Sequence, residues 1–523
     1  MEHLELTILG LLVAITALSI LARAVHLPYP IALFLGGLVL GFVPGVGEVT
    51  LTPDLVLLIF LPPLLYGAAF FSNPRELRSN VSDIGWLAVG LVFVTTGLVA
   101  VVAHELIGLP WGVAFVLGAV VSPTDAVAPA QVIRRFGVPR RVVTVIEGES
   151  LTNDWTALTL YRFAVTAVAS GSFNWAWAAP RFVITGIGGI AVGLLVGVAL
   201  RWVRRRIDDP PTELTISLCS GYAAYIPAEE LGVSGVMAAV TVGLYMGWHS
   251  AELTTATTRM QAQGVWEVLT FLLNAVLFIL VGLQFPGLVR DLEGPSTGEL
   301  ILYAAAVSAA VIAARMAWVF LLAHGLPRIL PWLYDDDALP PWRVTTLIGW
   351  SSMRGAVALA AALAIPTHVD SGAPFPGRDL VIFLTYAVIL ATLVLQGLTL
   401  GPLIGMLRLR SDGLDEQEEV LARVRMAEAG ISRIDALTDS GLVSSETAER
   451  TRAMRDFRRR RFTARMDGDS SIDERSERWQ RFMREVIAAE REALVTMRNQ
   501  GEITDDVRRT VERDLDLEEA RLS

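Results

Sequence analysis

Long apolar runs alternate with short polar joints over the first 410 residues. A helix needs about 20 apolar residues to cross a bilayer, and these runs have that length. They predict thirteen membrane-spanning helices, which lie near residues 6–22, 28–43, 52–71, 84–104, 111–133, 142–169, 180–203, 212–229, 233–248, 262–285, 298–323, 342–365 and 379–405. Glu2, His3 and Glu5 precede the run at 6–22 in place of a basic segment, and no small-residue cleavage site follows it, so we interpret it as the first span rather than as a signal peptide.

The pattern changes after residue 410. About half of the charged residues lie in 411–523, where sparse apolar residues recur at helical spacing. This favours an all-α polytopic membrane domain over 1–410, followed by a charged, helical cytoplasmic region over 411–523. The run Arg458–Arg461 in that region is interpreted as a solvated helix face, although it could contact anionic lipid.

Arginine distribution predicts the orientation of the chain in the membrane. Every second joint is rich in arginine, and the joints between them hold few. The arginines of the rich joints are Arg23, Arg75, Arg78, Arg134, Arg135, Arg140, Arg141, Arg201, Arg204, Arg205, Arg206, Arg259, Arg328, Arg343, Arg408 and Arg410. Because positive loops stay in the cytoplasm, we expect the N-terminus outside and the C-terminal region inside, as an odd number of spans requires.

Composition narrows the function classes further. The chain is 53% hydrophobic, carries a formal net charge of −10 and shows no basic stripe, so nucleic acid is not an expected partner. A single cysteine, Cys219, excludes an intramolecular disulfide and a cysteine-based metal site. No cofactor is expected.

A first polar stretch at membrane depth runs from Ser122 to Pro129. Pro123 and Pro129 lack backbone N–H groups, so nearby carbonyls lose their helical partners and become available to a cation. We expect a broken helix here, with Asp125 at the start of its second half, where a carboxylate balances the helix dipole. Broken helices near the membrane midplane are a common way to build ion sites in transporters.

A second polar stretch, Glu147–Asp154, opens the next apolar run. Glu149, Ser150, Asn153 and Asp154 share one broad helix face. Carboxylate, hydroxyl and amide oxygens suit a hard cation such as Na⁺ or Li⁺. Ionisable groups at membrane depth are costly and mark ion or proton pathways, so Asp154 is the main candidate for the transport site.

A third stretch places Arg354 alone in an apolar segment. A buried, unpaired cation is costly, so Arg354 needs a carboxylate partner, and Glu149 is the predicted one. Gly355 would permit a second break or bend. Two interrupted helices in corresponding halves of the chain are typical of transporters built from inverted repeats.

Together these stretches resemble the cation/proton antiporters of the NhaP and NHE type, over most of residues 1–410. The most specific matches are Ser122–Ala128, Glu149-Ser150 with Asn153-Asp154, and Arg354–Val357. Supporting matches are Leu61-Pro62-Pro63-Leu64-Leu65 and the segment Phe278–Leu283, and the C-terminal region looks like that of the bacterial branch. The resemblance implies a homodimer of thirteen-helix protomers in a bacterial cell membrane, with two broken helices crossing in each core.

The same resemblance implies roles for individual residues. Asp154 would bind the ion or proton, and Ser150 and the backbone carbonyl of Thr124 would complete the Na⁺ site, with Glu149 nearby. Asn153 would help to hold this site.

The resemblance also implies that Arg354 pairs with Glu149. The pair Asn153-Asp154 is associated with electroneutral exchange. The chain departs from the family pattern after Leu65. Many relatives carry an acidic residue there, whereas this chain has Tyr66-Gly67-Ala68.

The mechanism expected from these residues is competition. A single carboxylate that binds either a proton or a cation couples the two, and occupancy lowers the cost of moving the site across an apolar gate. K⁺ remains the alternative ion. A channel or an intramembrane hydrolase using Ser150 and Asp154 is disfavoured, because the chain has no carbonyl filter motif and its six histidines lie near the predicted span ends.

Overall fold

The computed structural model describes residues 2–43, 56–290, 295–329, 341–409, 413–466, 470–520 and 522. Within these residues the chain is helical, and the β-structure consists of one isolated bridge between His368 and Pro374. The chain forms two compact units, Met1–Ser411 and Asp412–Ser523.

The first unit consists of helices separated by short turns. They are α1 (Glu2–Ala24), α2 (Tyr29–Leu40), α3 (Leu61–Phe71), α4 (Pro74–Ser79), α5 (Val81–Gly85), α6 (Leu91–Glu105), α7 (Trp111–Val121), α8 (Val127–Arg135), α9 (Arg140–Ser170), α10 (Trp175–Arg204), α11 (Pro210–Glu230), α12 (Gly235–Leu253), α13 (Ala256–Leu283), α14 (Phe285–Arg290), α15 (Thr297–Phe320), α16 (Leu326–Ile329), α17 (Trp342–Trp350), α18 (Ala356–Leu363), α19 (Arg378–Ala391) and α20 (Gly397–Leu407). Among the described residues, four single π-helical turns continue directly into the helix that follows each of them, namely Val56–Phe60, Trp86–Gly90, Leu321–Gly325 and Thr392–Gln396.

Five helical stretches among the described residues are long and apolar enough to cross a membrane. They are Val81–Glu105, Ala176–Arg204, Ala256–Val289, Thr297–Arg328 and Arg378–Leu407. Shorter apolar helices cover Leu9–Ala24, Tyr29–Leu40, Leu57–Phe71 and Trp111–Val121. The thirteen predicted spans coincide with helix over most of their described length, and residues 52–55 of the third span lie outside the described residues.

Two of the predicted spans are interrupted, as the sequence indicates. In the first, α7 ends at Val121 and α8 begins at Val127. In the second, α17 ends at Trp350 and α18 begins at Ala356. The non-helical residues of both breaks are mostly buried, and the largest apolar cluster of the protein surrounds them. The breaks are therefore internal features of the first unit, Met1–Ser411, which we call the membrane unit.

Glycines let neighbouring helices approach closely in this unit. A Cβ on Gly37 of α2 would lie 2.3 Å from the carbonyl oxygen of Ile279 in α13, and one on Gly282 would lie 2.3 Å from that of Phe34. Small residues at helix contacts are the usual way in which membrane helices pack, because lipid supplies no hydrophobic drive for association.

The second unit contains four helices, α21 (Leu414–Asp439), α22 (Ser445–Met466), α23 (Ser470–Asn499) and α24 (Asp505–Ala520). Ion pairs link α23 to α24, since Arg491 contacts Asp516 at 2.5 Å and Glu519 at 2.7 Å. Exposed pairs of this kind contribute little stability each. The side chain of Arg458 lies outside the described residues, so the predicted arginine run stays a prediction.

Candidate functional site

The two interrupted helices meet at Asp125. Its backbone N–H donates to the carbonyl oxygen of Met353, 2.8 Å away. Gly355 lies against the same residue, because a Cβ there would lie 2.4 Å from Asp125 Oδ2. Gly355 has φ −111° and ψ −172°, an extended conformation open to any residue. Glycine is needed at position 355 because a side chain there would collide with Asp125. The predicted reason, that glycine permits a bend, does not apply, since this backbone conformation is open to any residue.

Asp125 caps the second half-helix from two residues before it. Its Oδ1 accepts a hydrogen bond of 2.8 Å from the backbone N–H of Val127, the first residue of α8. The helix therefore begins at Val127, two residues after the predicted start at Asp125. Pro129 lies in the first turn of α8, where a missing N–H leaves no carbonyl unpaired. The break itself lies around Pro123.

Helix α9 supplies a polar face to the first break. The Ser150 hydroxyl accepts a hydrogen bond of 3.2 Å from the backbone N–H of Ala126. Asn153 Nδ2 donates to the carbonyl oxygen of Thr124 at 3.1 Å and to its hydroxyl at 2.9 Å. Asn153 Oδ1 has no hydrogen-bond partner among the described residues. Ser150, Asn153 and Thr124 therefore lie together, as the sequence predicts.

Asp154 is 8% exposed and is the next residue on this helix. Within the described part of the chain, no group donates a hydrogen bond to its carboxylate or forms an ion pair with it. Asp125, the carboxylate at the crossing of the interrupted helices, interacts with it electrostatically. Buried carboxylates are normally paired or hydrogen-bonded, so a buried carboxylate without a donor is suited to binding a transient cation or proton.

Glu149 pairs with Arg315 of α15, not with Arg354. Arg315 Nη2 lies 2.8 Å from Glu149 Oε2, and Nη1 contacts Oε1. The Thr124 hydroxyl donates to the same carboxylate at 2.8 Å, and Arg315 Nε donates to the carbonyl oxygen of Ile348 at 3.2 Å. The predicted pair between Glu149 and Arg354 is wrong, because a bidentate guanidinium from another helix already occupies the carboxylate.

Arg354 is fully buried but is held by neutral oxygens. Its Nε donates to the carbonyl oxygen of Val121 at 3.0 Å, and its Nη1 donates to the carbonyl and hydroxyl oxygens of Ser352. Its backbone N–H donates to the Thr392 hydroxyl at 3.2 Å. Arg354 therefore ties the end of α7 to the second break, and the carbonyls freed by the breaks act as its acceptors.

Arg315 could also have been identified from the sequence as a candidate partner for a buried carboxylate. It is an isolated arginine in the apolar run Ala313-Ala314-Arg315-Met316-Ala317, so the rule that singled out Arg354 applies to it equally. Sequence alone offers two isolated arginines for one carboxylate, and only helix packing selects between them.

Gly67, two residues after Leu65, packs against the side chain of Trp266. A Cβ at Gly67 would lie 3.0 Å from ring atoms of Trp266 in α13. The indole is fully buried and donates to the Ser217 hydroxyl at 3.1 Å. A larger residue at this position would require the indole to move, so glycine at 67 and tryptophan at 266 fit each other.

Comparison with known families and structures identifies relatives of this chain. The family described as sodium/hydrogen exchanger, transmembrane, matches residues 10–405. The chain is 37% identical over 527 residues to an uncharacterized Na⁺/H⁺ exchanger of Mycobacterium tuberculosis, which covers 98% of this chain and 95% of that protein. It is 32% identical over 411 residues to a sodium, potassium, lithium and rubidium/H⁺ antiporter of Bacillus subtilis, which covers 76% of this chain and 60% of that protein.

The fold is also that of a solved structure. The sodium proton antiporter MjNhaP1 from Methanocaldococcus jannaschii at pH 8 superposes with a TM-score of 0.61 at 20% identity, over 77% of this chain and 99% of that one. The chain therefore belongs to the transmembrane sodium/hydrogen exchangers, a family of multi-pass membrane transporters that exchange cations for protons.

Proposed function

We propose that the protein exchanges Na⁺ for H⁺ by alternating access, with Li⁺ as a further substrate. One observation carries the proposal: Asp154 is a buried carboxylate with no donor among the described residues, and it lies beside the crossing of two interrupted helices. Such a group binds either a cation or a proton, and the neutral, occupied site crosses an apolar gate more readily than the charged, empty one.

Two oxygen atoms at the break between α7 and α8 are the proposed further ligands of the cation. The Ser150 hydroxyl and the Thr124 carbonyl lie at the same break, where each accepts one hydrogen bond and keeps a free lone pair. Hard oxygen ligands favour alkali cations over soft metals. K⁺ is the second candidate ion, because the Bacillus subtilis relative is named for sodium, potassium, lithium and rubidium.

We propose a stoichiometry of one cation for one proton. Arg315 neutralises Glu149, and Asp125 caps α8, so both carboxylates already have roles. The neighbour of Asp154 is Asn153, which cannot bind a proton as a carboxylate does. One carboxylate then remains to cycle between the two ions, and the charge carried in each direction is equal.

The proposed setting is a homodimer in a bacterial cell membrane, with the N-terminus outside and the region from residue 411 in the cytoplasm. The alternation of arginine-rich and arginine-poor joints supports this orientation. Inverted repeats within the membrane unit are part of the same proposal, since an interrupted helix occurs in each half.

The test is cation-driven dissipation of a pH gradient in proteoliposomes, with Na⁺, Li⁺, K⁺ and Rb⁺ added in turn. We expect saturable responses to Na⁺ and Li⁺, with little response to K⁺. Asp154→Asn should abolish exchange while the protein stays folded, and Asp370→Asn, an exposed loop aspartate, should keep it. Exchange by the Asp154→Asn variant would contradict the site, and cation flux without countertransport of protons would indicate a channel.

Stoichiometry is tested by clamping the membrane potential with K⁺ and valinomycin during Na⁺/H⁺ exchange. At fixed ion gradients, an imposed potential should leave the equilibrium of one-to-one exchange unchanged. A shift of that equilibrium would mean that a second charge moves, and Asp125 or Glu149 would then be examined.

A further inference from the structure

A cleft of about 470 Å³ opens between the ends of α10 and α12, away from the candidate ion site. Its lining combines aliphatic, aromatic and cationic side chains, contributed by Val198, Arg201, Trp202, Arg205, Arg206 and Tyr245. We propose that this cleft binds the headgroup of an anionic phospholipid. The proposal holds whichever cation the protein transports.

The way in which α10 packs against α12 explains why the cleft lies there. Gly189, Gly193 and Gly197 follow one another at intervals of four residues and contact α12, where a Cβ on each would lie 2.4 to 2.8 Å from the nearest atom. The next residue in this series is Arg201, whose side chain is too large for the same approach. The two helices therefore leave a gap at Arg201 and Tyr245.

Cationic charge in the cleft exceeds the anionic charge available to it. Arg201 Nη2 lies 2.9 Å and Arg205 Nη2 lies 3.6 Å from the same oxygen of Glu252. The Arg206 guanidinium stacks 3.6 Å from the centre of the Trp202 ring and has no carboxylate partner among the described residues. One carboxylate thus pairs with two of the three guanidinium groups, and no carboxylate among the described residues pairs with the third.

Arg201 also keeps a free donor. Its Nε is buried and has no hydrogen-bond partner among the described residues, and its Nη1 donates to the Tyr245 hydroxyl at 3.5 Å. Guanidinium groups bind phosphate oxygens through paired N–H donors, so the cleft matches a phosphate better than it matches a single carboxylate.

The outer face of α10 indicates that the phosphate belongs to a lipid. Leu195 is 71% exposed and Trp202 is 61% exposed, and Ile187 and Val198 on the same face are more than half exposed. Thirty helical residues extend about 45 Å, which exceeds the hydrocarbon core of about 30 Å, so the last turn reaches the interface. Trp202 and the arginines then lie at headgroup depth, above an apolar face suited to acyl chains.

The first experiment titrates the purified full-length protein in neutral detergent with dioleoylphosphatidylglycerol, dioleoylphosphatidylcholine or inorganic phosphate. Thermal unfolding is the readout, because a ligand that binds the folded state raises the melting temperature. We expect a saturable rise with phosphatidylglycerol and much smaller rises with the other two. An equal rise with phosphatidylcholine would exclude headgroup recognition, and an equal rise with inorganic phosphate would show a free-anion site.

The second experiment uses the triple variant Arg201→Gln, Arg205→Gln, Arg206→Gln. Its affinity for phosphatidylglycerol should fall about a hundredfold, which corresponds to about 1 kcal/mol for each arginine. The matched control is Arg343→Gln, an exposed arginine beside Trp342 outside the cleft, which should keep the wild-type affinity. Equal affinities in the triple variant and the control would overturn the proposal.

A single-residue variant and the oligomeric state provide two further measurements. If the triple variant is unstable in phosphatidylcholine, Arg206→Gln replaces it, since the Arg206 side chain stacks on and hydrogen-bonds to Trp202 and forms no ion pair with the described residues. It should lose affinity about fivefold, and an unchanged affinity would overturn the proposal. A second subunit on this face is the competing occupant, so an altered oligomeric state with an unaltered phosphatidylglycerol response would also overturn it.

Discussion

Among the residues of the membrane unit that the structure describes, two arginine–glutamate pairs are buried, and their geometries differ. Glu149 and Arg315 make a bidentate contact, with further hydrogen bonds from Thr124 to the carboxylate and from Arg315 to the backbone. Arg204 and Glu213, at the joint between α10 and α11, are buried almost as deeply but lie 3.5 Å apart. Arg204 Nε, Arg204 Nη1 and Glu213 Oε2 have no hydrogen-bond partners among the described residues.

The difference shows what burial of a charge pair requires. Removing two charges from water costs several kcal/mol for each ion, and attraction offsets this cost only with good geometry and satisfied hydrogen bonds. The pair at the candidate site meets these conditions, and the pair at the joint does not. We therefore expect the first pair to be essential to the arrangement of the site and the second to be replaceable.

The largest effect is expected from breaking the first pair. Arg315→Ala should lower the free energy of unfolding by about 3 to 5 kcal/mol, because it strands Glu149 in an apolar interior. A double-mutant cycle on thermal unfolding, with Glu149→Ala as the second change, measures the coupling. The control cycle pairs Glu149→Ala with Arg354→Ala. A larger coupling to Arg354 than to Arg315 would contradict the assigned pairing.

Replacing the second pair with apolar residues should have a smaller effect of opposite sign. Arg204→Leu combined with Glu213→Leu should leave stability unchanged or raise it by about 1 to 4 kcal/mol, because two under-bonded charges leave the interior. The same replacement at Glu149 and Arg315 should abolish exchange. Thermal unfolding and proteoliposome exchange measured on both double variants decide the comparison, and a strongly destabilised Arg204/Glu213 variant would refute it.

A third change tests how tightly the site is packed. Gly355→Ala places a methyl group against Asp125, and overpacking of this kind costs about 1 to 3 kcal/mol. Gly97→Ala is the control, since nothing lies within 4 Å of a Cβ there, and it should stabilise α6 by about 0.5 to 1 kcal/mol. Similar melting temperatures for the two variants would mean that the helix crossing is looser than described.

The smallest effect on stability is expected from changing Asp209, which lies in the joint between α10 and α11 near the Arg204–Glu213 pair. Asp209 caps α11 by accepting hydrogen bonds from the Thr212 hydroxyl at 2.6 Å and backbone N–H at 3.1 Å, and these bonds lower the pKa of its carboxyl. A lowered pKa in the folded state gives stability that is present above the unfolded value of about 4 and is lost as the pH falls through the folded value.

Melting temperatures measured from pH 6 down to pH 3 test this cap. Asp209→Ala should melt lower than wild type near pH 6, and the difference should shrink in acid. Asp209→Asn keeps a capping oxygen without a titrating group, so its deficit near pH 6 should be smaller than that of Asp209→Ala. Equal melting temperatures for wild type and Asp209→Ala near pH 6 would exclude a stabilising role for the cap.

Much of the candidate site could be predicted from the chain because membrane depth makes polar residues conspicuous. Asp154 and Arg354 are isolated charges in apolar runs, and both are buried. Pro123 marks the first break, since a proline cannot supply the N–H that a continuous helix needs. The second break was expected from Gly355, although the glycine is needed there for space beside Asp125.

The helical architecture, the positions of the two breaks and the carboxylate at depth could be predicted from the chain, because hydropathy, proline chemistry and the cost of buried charge are local properties. The arginine that neutralises Glu149 could not, because Arg315 is 166 residues away and Arg354 is an equally isolated candidate for the same carboxylate. Helix packing also sets the fit of Trp266 beside Gly67 and the separation of α10 from α12 at Arg201. These outcomes depend on how closely helices approach, which residue types along one chain do not specify.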